Sequence, residues 1–316
     1  MGIIGNYAHG FREGIMIRGA ALYDGGFGRV WYVDAKTGAD GNSGKRRDRP
    51  FLTMSKALAQ VDSGDTILFR GKVREQLSTP VGVHDVTIIG AGNRPRHADD
   101  HTESSGARGS SGATWTAPAS GSTASPLLQV NQQGWRLYGT TWQLSGSATA
   151  CVLLHKTDDA GDSERDGAHA ELLYNKFQGT VGAAAGIGVQ TNGIGFWKMQ
   201  DNLLFGFATA IAKTGAAGGQ VGWGELIGNR FSDNTNGIVS PLYRFLVKGN
   251  YFLATHTKEV DLTGGTANIV TENVFMGNYD ACVPGTGDFW FNNYSLDTTS
   301  GEVDDTTGQT TAVPAA

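Results

Sequence analysis

The stretch GNRFSDNTNGI, residues 228–238, places an asparagine two positions before an aromatic residue, and this pair recurs along the chain. Asparagine precedes an aromatic residue or leucine by two positions at six places, which are Asn175, Asn202, Asn229, Asn250, Asn273 and Asn292. The steps between them range from 19 to 27 residues. Self-similarity at a period of this size indicates stacked supersecondary units.

Between the asparagines lie short apolar runs such as AELLYNKF (170–177) and ANIVTENVF (267–275). They have the length of strands, show no helical period and are punctuated by glycine or asparagine. If each period is one coil of a parallel β-helix, equivalent residues stack about 4.8 Å apart. The sequence therefore predicts an all-β fold built as a single-stranded parallel β-helix.

Each position of the repeat has a predicted role. Asparagine tolerates the left-handed conformation that a tight corner requires, and its amide can bond to the asparagine one coil away. The residue two positions later should stack in the core. This stack is predicted to contain Phe177, Leu204, Phe231, Phe252 and Phe275.

Four residues before the first three asparagines stand Glu171, Lys198 and Glu225. Opposite charges stacked on neighbouring coils support one another by about 0.2–1 kcal/mol per pair. We interpret them as a solvated structural ladder rather than a catalytic carboxylate pair.

Composition narrows the function classes. Glycine is 47 of 316 residues, about twice its share in globular proteins, and charged residues are only 17%. The net charge of -5 argues against nucleic acid as a partner, and no apolar run of 18 residues predicts a membrane span.

Cys151 and Cys282 fit no metal or disulfide pattern and are predicted to be buried thiols. Tryptophans can form sugar platforms, but Trp135, Trp142 and Trp197 lie in strand runs and are predicted to be core residues.

The region 31–71 reads as strand, loop, helix and strand. Pro50 opens the helical stretch near residues 51–61, Leu52, Ala57, Leu58 and Val61 give it an apolar face, and Gly64 ends it. A short α-helix here would cap the open backbone edge of the first coil.

The same region carries a family resemblance. Its motifs are Tyr32-Val33-Asp34, then Gly38, Asp40, Asn42 and Gly44, then Pro50-Phe51-x-Thr53, Gly64-Asp65-Thr66-Ile67 and VTIIGAG at 86–92. They resemble the first coils of right-handed parallel β-helix proteins of the pectate-lyase-like superfamily. The resemblance implies a β-helix over residues 31–294, with an arm at 1–30 and a Thr-rich acidic tail at 295–316. The Ser-, Gly- and Ala-rich segment 93–125 is predicted to be a long excursion from an early coil.

That superfamily includes polysaccharide lyases, glycoside hydrolases, bacterial surface proteins, bacteriophage tailspikes and tailspike-like proteins that cement phage capsids. The resemblance implies a structural virion protein: a homotrimeric cement or decoration protein, bound to the major capsid protein or other virion subunits through the arm. Short flanking segments and the lack of clustered acids favour this over the alternative, a tailspike that binds or depolymerises bacterial surface polysaccharide. Enzymatic activity is therefore not expected, although a polysaccharide hydrolase or lyase stays open.

Few residues are candidates for chemistry. Asp201 and Asp233 flank asparagine corners on neighbouring coils and form the best available carboxylate pair. The acidic stretch 158–171 lacks the alternating spacing of a calcium loop and is interpreted as a solvated turn. The basic loop GKRRDR at 44–49 offers Lys45, Arg46, Arg47 and Arg49 for docking onto an acidic subunit. No metal site and no cofactor are predicted.

Overall fold

The computed structural model describes residues 28–91, 112–121, 125–144, 148–155, 167–179, 186–214, 221–253, 257–276, 279–296, 310 and 313–314. Nearly all regular structure in these ranges is β-strand, arranged in three parallel sheets. From residue 128 onward the chain adds one strand to each of the three sheets in a fixed order and then repeats this order; the sheets are called A, B and C and are defined by their strands below. The right-handed parallel β-helix predicted from the sequence is confirmed, and such parallel crossovers are almost always right-handed.

The strands of sheet A follow chain order, each paired with its sequence neighbour in the sheet. They are Val30–Asp34, Thr66–Arg70, Thr87–Gly90, Arg136–Tyr138, Glu171–Leu173, Trp197–Gln200, Val221–Ile227, Leu242–Lys248, Ile269–Thr271 and Phe289–Phe291.

Sheets B and C complete each coil with short strands. Sheet B contains Lys72–Arg74, Thr114–Thr116, Thr141–Gln143, Lys176–Gln178, Leu203–Phe205, Arg230–Ser232, Tyr251–Leu253, Val274–Phe275 and Tyr294–Ser295. Sheet C contains Leu77–Ser78, Leu128–Val130, Ala150–Leu154, Ile187–Thr191, Thr209–Lys213, Asn236–Val239 and Lys258–Asp261. A 3-10 turn, Tyr279–Ala281, follows in the last coils.

The capping helix is present but shorter than predicted. It spans Met54–Leu58, and the Thr53 side chain caps it by accepting a hydrogen bond from the Lys56 N–H. The Glu75 carboxylate accepts two more of its first-turn N–H groups. Met54, Ala57 and Leu58 face the core, whereas Leu52 is 40% exposed, so its predicted place on the apolar face is wrong.

The asparagine repeat forms a buried hydrogen-bonded ladder between sheets A and B. From Asn202 onward, each side-chain oxygen accepts from the backbone N–H and the amide of the asparagine one coil earlier, at 2.8–3.1 Å. Each amide also donates to a strand carbonyl, as Asn229 does to Met199 at 3.0 Å. The predicted bond between asparagines of neighbouring coils is confirmed.

Two details of the ladder prediction are wrong. The last member is Asn293, which accepts both bonds from Asn273 at 3.0 Å, while Asn292 is exposed. Ser295, rather than Tyr294, therefore aligns with Phe275. The left-handed residue is also the one before each ladder asparagine: Tyr174, Asp201, Gly228, Gly249, Glu272 and Asn292 all have positive φ. The corner conformation and the buried amide thus belong to adjacent positions.

The predicted aromatic stack lies in the core and is confirmed. Phe177, Leu204, Phe231, Phe252 and Phe275 are fully buried and in register in sheet B. The Phe231 and Phe252 ring centroids are 4.7 Å apart with their planes at 4°. Trp135, Trp142 and Trp197, and the free thiols of Cys151 and Cys282, are buried as predicted.

The predicted excursion over 93–125 is too long. Thr114–Thr116 is a strand of sheet B, and Trp115 stacks on Trp142 at 5.1 Å inside the core. At the far end the last strand reaches Ser295, and the N–H of Thr310 donates to the Asn293 carbonyl. Most of the predicted arm and tail lie outside the described residues. No helix within the described ranges is long and apolar enough to cross a membrane.

Candidate functional site

The outer face of sheet A carries the side chains that alternate with the core residues. Leu172 and Met199 point inward and are fully buried, whereas the neighbouring Glu171 and Lys198 are only partly buried. Because the strands are in register, the outward side chains at equivalent positions of successive coils form regular columns on this face.

Near the beginning of the sheet-A strands, the backbone takes the left-handed conformation in seven successive coils. The residues in this column have φ between 54° and 74°, and they are Asp85, Gly134, His169, Phe196, Trp223, Arg244 and Ala267. From Gly134 onward, each lies two residues before the charged or apolar residue that pairs across the sheet, and six residues before the ladder position.

The non-glycine residues in this column lower the stability of the fold. An L-residue in the left-handed region loses about 1–2 kcal/mol, a cost that glycine, as at Gly134, avoids. Phe196 and Trp223 are also 52% and 44% exposed, so burial does not offset the cost. Residues that keep a strained backbone although they gain no stabilising burial are typical of functional sites.

The side chains of His169, Phe196 and Trp223 form a continuous aromatic ridge. The ring centroids of His169 and Phe196 are 5.2 Å apart, and those of Phe196 and Trp223 are 6.2 Å apart with planes at 3°. The Arg244 guanidinium continues the ridge, 4.7 Å from the Trp223 centroid. The ridge runs along the helix axis, with one ring per coil.

A charged column stands beside the ridge. The Arg136 guanidinium lies 3.5 Å from the Glu171 carboxylate, and the Lys198 ammonium lies 3.2 Å from the Glu225 carboxylate. The alternating ladder predicted for Glu171, Lys198 and Glu225 is confirmed by their register. Beyond Glu225 the same column becomes apolar, with Leu246 and Ile269.

Between ridge and charged column runs a groove of about 520 Å³. Its floor contains Trp197 and Phe245, packed edge to face at 5.2 Å. Gly224 lies between them, and a Cβ there would come within 2.3 Å of the Trp197 carbonyl oxygen. The floor is thus closely packed, and the walls supply both apolar and charged contacts.

The opposite edge of sheet A carries Tyr174 and Asp201. Burial raises the pKa of the Tyr174 hydroxyl, and the Asp201 carboxylate raises it further through its charge and a hydrogen bond. The Tyr138 ring packs on Tyr174 at 5.3 Å. This edge therefore presents a hydroxyl and a carboxylate in contact.

The predicted pairing of Asp201 with Asp233 is wrong. Asp201 lies in the turn between sheets A and B, and Asp233 directly follows the sheet-B strand Arg230–Ser232. A three-residue strand of about 10 Å separates these two positions in every coil. Asp201 instead contacts Tyr174, and Asp233 accepts a hydrogen bond from Ser232 at 2.9 Å.

The basic loop is exposed at the helix-capped end, as docking requires. Lys45, Arg46, Arg47 and Arg49 are all exposed, and Arg46 contacts Asp48 at 3.0 Å. Their docking role stays a prediction. Residues 158–166 of the acidic stretch 158–171 lie outside the described residues. The described part of the chain contains no cluster of three or more residues suited to a metal.

Sequence reasoning missed the aromatic ridge and Arg244. The signal was available, because His169, Phe196, Trp223 and Arg244 each stand six residues before a ladder asparagine. Neighbouring apolar runs hid it, since an aromatic residue next to a strand is predicted to be core.

Comparison with known proteins identifies the fold. No protein-family model matches the sequence, and no similar sequence was found among characterised proteins. Among solved structures, pectate lyase Pel9A aligns over 91% of this chain and 82% of its own, with 14% identity and a TM-score of 0.51. A pectin methylesterase from Aspergillus niger aligns over 91% of both chains, with 14% identity and a TM-score of 0.46. The strand topology and the likeness to Pel9A show that the chain has a parallel β-helix fold.

Proposed function

We propose that this protein binds polysaccharide along the groove on the outer face of sheet A. The observation that carries the proposal is the aromatic ridge, held exposed on strained backbone beside a column of charged side chains. Sugar rings offer apolar C–H faces and polar hydroxyl edges. The aromatic ridge can stack on the apolar C–H faces, and the charged column can form hydrogen bonds with the hydroxyl groups.

The shape of the groove favours a polymer over a small molecule. Its walls extend from His169 to Ala267, a span of four coil steps, or roughly 19 Å at 4.8 Å per step. Its contacts repeat once per coil, as the units of a polysaccharide repeat along a chain. The fold neighbour Pel9A is itself named for action on a polysaccharide, which is consistent with this proposal.

Binding, rather than cleavage, is the activity proposed. The groove carboxylates Glu171 and Glu225 are both engaged in ion pairs and are separated by Lys198. A hydrolase needs two carboxyl groups directed at one glycosidic bond. In this groove the carboxylates serve instead as hydrogen-bond acceptors for hydroxyl groups.

The test is affinity electrophoresis in gels containing single bacterial or plant polysaccharides. Trp223→Ala should weaken retardation by the retained polysaccharide about tenfold or more, because stacking and apolar contact are lost together. Tyr251→Ala is the matched control, since Tyr251 is half exposed but lies in sheet B. Equal retardation of the Trp223→Ala variant and the wild type would contradict groove binding.

A second proposal keeps the virion role: a homotrimeric capsid cement protein attached to the major capsid protein through the N-terminal arm. The exposed basic loop at the helix-capped end supports it, because it provides a docking surface for an acidic subunit. Imaging of labelled particles should place the protein on the capsid surface. Deletion of residues 1–27 should abolish attachment and leave the strand Val30–Asp34 intact. Location at the tail tip would instead support a receptor-binding tailspike, and a monomer in sedimentation would contradict the trimer.

A further inference from the structure

Among the described sheet-A strands from Arg136–Tyr138 onward, four cations lie on the outer side, and three of them are ion-paired. Arg136 pairs with Glu171, Lys198 with Glu225 and Lys248 with Glu272, at 3.2–3.5 Å. The fourth is Arg244. Within the described residues its side chain makes no ion pair and no hydrogen bond.

Arg244 is held by aromatic rings instead. Its guanidinium carbon lies 4.7 Å from the Trp223 centroid and 4.9 Å from the Tyr243 centroid. Such contacts attract the charge but leave the five N–H donors unused. Because the rings already restrict the side chain, less conformational entropy is lost when a ligand binds it.

The position of Arg244 directs its charge into the groove. Its backbone is in the left-handed region with φ of 55°, and the residue lines the groove beside Leu246 and Ile269. The nearest acidic position of the charged column, Glu225, is engaged by Lys198. At this end the groove therefore has one unneutralised positive charge and apolar surroundings, on a chain whose net charge is -5.

We propose that Arg244 is the specificity-determining residue of the groove and binds an oxyanion substituent, a carboxylate or a phosphate, on the polysaccharide. The planar guanidinium matches two oxygens of such a group with two parallel hydrogen bonds. Leu246 and Ile269 contact the apolar face of the sugar that carries the substituent. This inference rests on the proposed polysaccharide binding and adds the chemical class of the ligand.

The test uses the full chain and four immobilised polymers: alginate for carboxylate, a teichoic acid for phosphate, and two neutral controls, dextran and galactan. Binding is measured by biolayer interferometry at two salt concentrations. The wild type should bind the alginate or the teichoic acid, more weakly at high salt, and the polymer that binds identifies the oxyanion. Arg244→Gln should lower that affinity about 10- to 100-fold. Arg244→Lys should recover only part of it, because lysine lacks the fork.

Two further variants separate this inference from the function it rests on. Lys72→Gln removes an exposed cation of sheet B and should bind as the wild type does. Trp223→Ala tests the groove itself. If Trp223→Ala loses binding while Arg244→Gln keeps it, or if the wild type binds only the neutral polymers, the anion proposal is overturned and groove binding stands. If neither variant changes binding, or no polymer binds, both proposals fail.

Discussion

Asn229 and Asn202, one coil apart, are joined twice: the Asn229 side-chain oxygen accepts from the Asn202 backbone N–H at 3.1 Å and from its amide at 2.9 Å. The Asn229 amide in turn donates to the Met199 carbonyl. The buried Asn229 side chain thus provides hydrogen-bond partners for the Asn202 N–H, the Asn202 side-chain amide and the Met199 carbonyl. Without it, these groups would be buried without partners.

Asn229→Ala should therefore lower the free energy of unfolding by about 2–4 kcal/mol, because buried polar groups lose their partners. Urea unfolding followed by circular dichroism measures the change. Asn292→Gly is the matched control, since Asn292 is exposed and its φ of 54° suits glycine. Equal loss in both variants would show that the ladder has no special role.

The aromatic stack gives a second prediction. Phe252 is fully buried between Phe231 and Phe275, with centroids at 4.7 and 5.1 Å. Phe252→Ala should cost about 3–5 kcal/mol of stability through lost burial and a cavity. Tyr251→Ala, one residue away and half exposed, should change it by about 0.5 kcal/mol or less. A small effect at position 252 would contradict the internal stack.

The strain in the ridge is measurable by comparing two truncations at one site. Phe196→Ala and Phe196→Gly both remove the ring, but only glycine relieves the left-handed backbone at φ 57°. The glycine variant should be more stable than the alanine variant by about 1 kcal/mol. The order should reverse at Phe177, where the backbone is extended strand. Equal stability of the Phe196→Ala and Phe196→Gly variants would show that the backbone at position 196 is not strained.

Acid should weaken the first coil through Asp34. Burial would raise the pKa of this carboxyl, but hydrogen bonds from Thr37, the Lys36 backbone and Arg70 outweigh it and hold the pKa at about 2. A lowered pKa contributes stability above the ordinary value near 3.8, and that stability is lost as the pH falls toward 2.

Asp34→Asn should therefore destabilise the protein at pH 7, and its difference from the wild type should shrink between pH 4 and pH 2. Thermal unfolding over this pH range measures both. A difference that stays constant with pH would contradict the role of the charged carboxylate.

The second edge of sheet A predicts a spectroscopic effect. Because burial and the Asp201 carboxylate both raise the pKa of Tyr174, Asp201→Asn should move it back toward 10. Ultraviolet titration of tyrosine ionisation, assigned with Tyr174→Phe, measures the shift. Asp233→Asn, at the far edge of sheet B, should leave the titration unchanged. An equal response to both substitutions would contradict the separation of the two carboxylates.

The fold could be predicted because its signal repeats. Asn-x-Phe marks one position in each coil, and the charged column at Glu171, Lys198 and Glu225 follows from the same register. The ladder residue of the last coil was predicted wrongly because two asparagines are adjacent there, and only the hydrogen bonds distinguish Asn293 from Asn292. The candidate site could not be predicted because its residues are aromatic, as core residues are. Backbone conformation, which the residue type does not reveal, turns Phe196 and Trp223 outward while Phe231 points inward.

The ridge residues stand at a backbone position that adds nothing to the apolar interior, so each coil carries one exchangeable side chain on a constant frame. A substitution at position 169, 196 or 223 changes what the outer surface offers at a single step along the axis. The internal ladders remain as they were. Within each coil, the information that specifies folding and the information that selects a ligand occupy different residues, so either can change while the other is kept.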